Sequence, residues 1–114
     1  MNDTLEPIWK ALADPTRRML LDLLRGKAKT TSELCLEFEH LSRFAVMKHL
    51  GILESADLVI VKREGRLRWN YLNAVPIRKI YERWVSNYEG NWAQSMLSLK
   101  DEVETKTHEG KVLQ

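Results

Sequence analysis

The sequence predicts a mainly α-helical fold that carries one small β-hairpin and ends in a long helix. Three observations predict it. Apolar residues recur at helical spacing from Leu5 onward. The period changes to two after Ala56-Asp57, where LVIVKR and RLRWNYL alternate around a Glu-Gly turn. Helical spacing then returns at Ile77 and holds to about residue 104.

Each element has its own signal. Leu5, Ile8, Trp9 and Leu12 form the apolar face of a first helix. Asp14-Pro15 stops it and opens the next, since Asp14 can cap and Pro15 fits a position whose N–H has no helical partner. TRRMLLDLL is apolar on most sides, which makes this second helix central, and Gly26 ends it. Thr30-Thr31-Ser32-Glu33 has the Ser/Thr-x-x-Glu form of a capping box and opens a short helix over roughly 31–38. Leu34, Cys35 and Phe38 are its candidate buried positions. Glu39-His40-Leu41 is a brief turn, and Ser42 caps the next helix, SRFAVMKHLGIL. Two helices joined by so short a turn make a helix-turn-helix, although the glycine often found in that turn is absent.

That last helix has two faces. Val46, Leu50 and Leu53 share a buried stripe. Phe44, Met47, Lys48 and Gly51 lie opposite, with Arg43 at the flank, so large apolar side chains and cations share a side that should be wet. In the hairpin, Leu67, Trp69 and Tyr71 form an expected apolar underside, with Arg66, Arg68 and Asn70 on a basic top. A lone hairpin is unstable in water, so this one must pack on the helices. Asn73 can cap the final helix, with Pro76 in its first turn. At ~1.5 Å per residue, its stripe through Trp84, Trp92, Leu99 and Val103 would be on the order of 40 Å long. Such a stripe predicts pairing with a second copy; folding back on the chain's own core is the alternative. Gly90 lies within it and is a candidate kink or break. The expected organisation is one domain over 1–105 and a frayed tail over 106–114.

Composition narrows the function. No stretch approaches the ~18 consecutive apolar residues of a membrane span. The N-terminus lacks the basic start and apolar run of a signal peptide, and the single cysteine fits a reducing compartment, so a cytoplasmic location is expected. Residues 42–71 carry six basic against three acidic side chains, whereas the flanking segments are close to balanced. Local basic excess is the electrostatic footprint of a nucleic-acid surface, and a solvated face has the same composition. An enzyme is disfavoured: the sequence offers no nucleophile–base pair at a readable spacing, no phosphate-binding glycine loop and no metal-ligand cluster.

Helix, helix, helix-turn-helix, hairpin and long last helix is the order of a winged helix. ALADPTRRMLLDLL, TSEL, SRFAVMKHLGILESADLV and KREGRLRWNYL together resemble the ArsR-type bacterial regulators over about residues 4–85. The resemblance implies a homodimeric transcriptional repressor that binds a near-palindromic DNA operator. The helix at about 42–54 would enter the major groove, and the wing at about 59–72 would reach the backbone or minor groove. By position, Ser42, Arg43, Phe44, Met47 and Lys48 would face bases or nearby phosphates, and Arg63, Arg66 and Arg68 would bind phosphate or a narrow minor groove. A solvated edge that prevents strand aggregation is the alternative account, disfavoured by the presence of three arginines beside a turn. His49 matches the family's frequent Lys-His-Leu and is either a phosphate contact or a hydrogen-bonding link between helices. The first and last helices would build the dimer, through Leu5, Ile8, Trp9, Tyr81, Trp84, Tyr88 and Trp92. Position 47 departs from the family, which often places serine there.

Many ArsR-type regulators sense metals. One family site uses two cysteines one residue apart in the third helix, where this chain has Cys35 and Glu37. Another uses histidines and carboxylates of the last helix, but residues 76–104 hold no histidine. A single thiolate is a poor soft-metal site, so Cys35 reads as a small core residue and no metal or other cofactor is expected. The effector, if one exists, is not named by the sequence. A different class of function, a protein-interaction module, would use Phe44 and Met47 as its hydrophobic contact.

Overall fold

The computed structural model describes residues 5–85 and 91–113, with side chains described for 5–85 and 94–105. The chain divides into two compact units, Met1–Ile80 and Tyr81–Gln114.

In the first unit, local sequence sets most element boundaries. Helix α1 (Glu6–Leu12) carries Pro7 in its first turn, where proline costs no hydrogen bond. Helix α2 (Pro15–Leu24) is capped by Asp14, whose side chain accepts from the Thr16 N–H at 3.0 Å. Helix α3 (Thr31–Leu36) opens on a complete capping box: Thr30 Oγ1 accepts from the Glu33 N–H, and the Glu33 carboxylate accepts from the Thr30 N–H. Helix α4 (Arg43–Ser55) starts at Ser42, whose hydroxyl accepts from the Ala45 N–H at 3.1 Å. These are the caps expected from the sequence. The turn between α3 and α4 is longer than expected, because α3 stops at Leu36 and Phe38 is buried within the connection.

The core lies where α1, α2, α3 and α4 meet the sheet. Leu20, Leu24, Leu34, Val46, Leu50, Leu53, Leu58 and Val59 are its largest fully buried apolar side chains. Val46, Leu50 and Leu53 therefore hold α4 in place, each contributing about 1.5–3 kcal/mol on burial.

The sheet departs from the sequence reading in three respects. It has three strands, in the order β1-β3-β2, where β1 is Lys29–Thr30, β2 Val59–Glu64 and β3 Leu67–Leu72. The two residues of β1 are too few to leave a periodic signal. The hairpin turn is Gly65-Arg66, because Glu64 pairs with Leu67. Gly65 takes φ +61°, the left-handed value that the first position of such a tight turn favours for glycine. Finally, the faces of β3 are inverted. Asn70 pairs with Val61 and Leu72 with Val59, and this is the side that meets the core. Leu67 and Tyr71 are exposed and Trp69 is half-buried on the opposite side. Asn70 is accepted inside because its amide donates to Lys29 O at 3.2 Å and Thr31 Oγ1 at 3.1 Å. A buried polar group is tolerated when it is hydrogen-bonded, and β1 with the start of α3 supplies those acceptors.

Between α4 and β2 the backbone turns at Asp57, the one non-glycine residue at positive φ among the described residues. Its carbonyl accepts from Asn73 Nδ2 at 2.8 Å, which ties the end of α4 to the start of helix α5 (Val75–Trp84). Helix α6 spans Asn91–Leu113. The expected long helix thus falls on two helices, with Gly90 outside the described residues, and α6 extends past residue 105.

Candidate nucleic-acid interface

Helix α4 presents its outer face as the sequence suggested. Phe44 is 78% exposed, an unusual state for a phenylalanine at the start of a helix. Ser42, Arg43 and Lys48 are exposed, and Met47 is half-buried beside them. Arg43 leans back over α3, where its Nη1 donates to Ser32 Oγ at 3.2 Å. Gly51 completes this face one turn further along, and a Cβ placed there would meet nothing within 4 Å. The result is a helix anchored on one side and offering an apolar–cationic strip on the other.

His49 does not belong to that strip. Its Nδ1 accepts from Arg17 Nη1 at 3.2 Å and lies 3.8 Å from Asp14 Oδ2. This contact is a link between helices, one of the two readings of His49. The ring turns toward α2 because a cation and a carboxylate are already placed there at the α2 N-terminus.

The wing carries Arg63 and Arg66 as exposed cations, Arg66 within the turn itself. Arg68 is placed differently from these two. Its side chain is only 14% exposed, and its Nη2 donates to Glu54 Oε2 of α4 at 2.8 Å. The inverted face of β3 turns Arg68 inward, so it braces the wing against α4 instead of facing solvent. Lys62, on the opposite face, pairs with Glu64 at 3.3 Å.

The expected dimer residues divide similarly. Leu5 and Ile8 are buried in the chain's own core and offer little area to a second copy, while Trp9 is half-buried against that core. In the second unit Tyr81 is half-buried, and Trp84 is exposed with the Arg83 guanidinium 4.9 Å from its ring. Tyr88 and the Trp92 side chain lie outside the described residues.

Three structurally important residues had no signal in the sequence: Arg17, Glu54 and Asn70. Their partners lie 32, 14 and up to 41 residues away, beyond the reach of any local pattern. Among the described residues, no group of three His, Cys, Asp or Glu could hold a metal ion, and Cys35 is half-buried against the core. No described helix is long and apolar enough to cross a membrane.

Comparison with known proteins places this arrangement. Residues 12–62 match the helix-turn-helix domain family. The chain is 35% identical over 91 residues to the HTH-type transcriptional regulator YuzN of Bacillus subtilis, covering 75% of this chain and 99% of the relative. The crystal structure of an ArsR family transcriptional regulator superposes with a TM-score of 0.68 at 32% identity, covering 80% of this chain and 98% of that one. The chain belongs to the ArsR-type winged helix-turn-helix transcriptional regulators.

Further relatives agree. The transcriptional repressor SdpR of Bacillus subtilis is 32% identical over 81 residues, covering 71% of this chain and 88% of the relative. An ArsR-like regulator from Rhodococcus sp. RHA1 has a TM-score of 0.65 at 25% identity, covering 90% of this chain and 92% of that one. The resemblance drawn from the four sequence segments is therefore borne out, and so is the winged-helix fold class. Members of this family regulate transcription and are not enzymes.

Proposed function

We propose that this ArsR-type regulator is a homodimeric, sequence-specific repressor acting in the cytoplasm on a near-palindromic DNA operator. The observation that carries the reading is the outer face of α4. An exposed Phe44 and a half-exposed Met47 sit between Arg43 and Lys48 on a helix whose other face is locked in the core. In the major groove, Phe44 and Met47 would meet thymine methyls and sugar edges, Arg43 a guanine, and Lys48 with the Ser42 end a phosphate. Arg63 and Arg66 would lie on the backbone or in the minor groove and supply salt-dependent affinity by counterion release. The names of the relatives support repression: one is a transcriptional repressor, and another a probable mercury resistance operon repressor of Streptomyces lividans.

A homodimer is supported by α6. All its side chains described over 94–105 are exposed, including Met96, Leu99 and Val103 at coiled-coil spacing. Two-fold symmetry would set two half-sites one or more DNA turns apart. Docking of a protein on Phe44 is disfavoured by Lys48 and the basic wing, since lysine is depleted at protein interfaces and a local basic excess suits a nucleic acid.

Selection of bound duplexes from a random DNA pool by the full chain tests the reading. Enrichment of an inverted repeat is expected. Recovery of an unenriched pool would overturn it.

A further inference from the structure

We propose that Arg17 and His49 form a latch that sets the angle of α4 against the DNA, making both positioning residues for base recognition without contact to DNA. The inference rests on the DNA-binding reading above. Arg17 stands in the first turn of α2 with its side chain 14% exposed. Its Nε donates to Ala11 O at 2.8 Å and its Nη2 to Lys10 O at 2.9 Å, which satisfies carbonyls at the end of α1. Its Nη1 donates to His49 Nδ1 at 3.2 Å and lies 3.8 Å from Asp14 Oδ2, the carboxylate that also caps α2. One planar guanidinium thus joins the end of α1, the start of α2 and the middle of α4.

The rigid fork matters here. Three acceptors in fixed directions determine the position of the guanidinium, which an ammonium on a flexible stem cannot reproduce. His49 follows Lys48 and stands two residues after Met47, so fixing its ring fixes the rotation of the face that carries both. Because Nδ1 accepts, the neutral ring carries its proton on Nε2. Anchoring of α4 in the core is separate, through Val46, Leu50 and Leu53. Loss of the latch should therefore leave a folded protein whose recognition face is loosely aimed. A functional face needs such support to hold its geometry.

The test uses the full chain and two duplexes of equal length, the sequence selected from the random pool and a scrambled one. Affinity for each is measured by fluorescence anisotropy, alongside thermal melting. His49→Ala should lose about tenfold in affinity for the selected duplex, the size of one charge-assisted hydrogen bond. Affinity for the scrambled duplex should stay close to wild type, and melting should remain cooperative. His49→Asn, which returns an acceptor near the Nδ1 position, should recover most of the loss. Arg17→Lys should behave as His49→Ala, and the double variant should be no worse than the weaker single. Equal losses on both duplexes, or additive losses in the double variant, would overturn the latch while leaving the DNA reading intact. Failure of the wild type to discriminate the two duplexes overturns both.

Discussion

At the scale of single residues, Gly51 is the position where stability and function should separate. Glycine inside a helix costs about 1 kcal/mol relative to alanine. Nothing in the fold requires it, since an added Cβ would enter open space. An outer partner that approaches the helix closely gives it a reason. Gly51→Ala is therefore expected to stabilise the protein by about 1 kcal/mol and raise its melting temperature by a few degrees. Its affinity for operator DNA should weaken several-fold in the same preparation. Stabilisation with unchanged affinity would remove Gly51 from the interface. Phe44 and Met47 were legible in the sequence as misplaced apolar residues, because helical spacing put them opposite Val46, Leu50 and Leu53. A linking role for His49 was one of two readings of the sequence, but its partner Arg17, 32 residues away, was not legible.

At the scale of elements, the wing separates what alternation can say from what it cannot. Alternation located both strands. It assigned the faces of β3 the wrong way round, because the aromatic side looked like the buried one. A one-residue change of register moves every side chain to the other face. The inside was decided by Val59 and Val61 of β2 and by the acceptors waiting for Asn70. The outcome distinguishes two arginines that look alike in sequence. Arg66→Ala should weaken binding to all sequences and reduce the salt slope by about 0.9, one phosphate contact. Arg68→Ala should instead leave the salt slope near wild type and destabilise the fold by about 1–2 kcal/mol through loss of the Glu54 bond. Salt titrations and melts of both variants check this, and a reduced slope for Arg68→Ala would return it to the DNA surface.

At the scale of the whole molecule, the exposed apolar residues of α6 set the expectation. Met96, Leu99 and Val103 in water would be a costly surface for a solitary chain, and a second copy is the partner that matches them. Light scattering at micromolar concentration should give twice the 13.4 kDa chain mass. Leu99→Glu should shift it toward the monomer, with a matching loss of operator affinity. A monomeric wild type would refute pairing through this helix.

The sequence by itself determined the order of elements, the caps at Asp14, Thr30 and Ser42, the buried stripe of α4 and the membership of a family. Those features depend on interactions within one or two helical turns, or on motifs read as a set. Only the tertiary structure decided the third strand, the inward face of β3, the bracing of Arg68 by Glu54 and the tie between Arg17 and His49. Each of these depends on polar groups finding partners far along the chain. Burial favours a partner for such groups, but which partner each one finds is fixed only when the helices and the sheet meet.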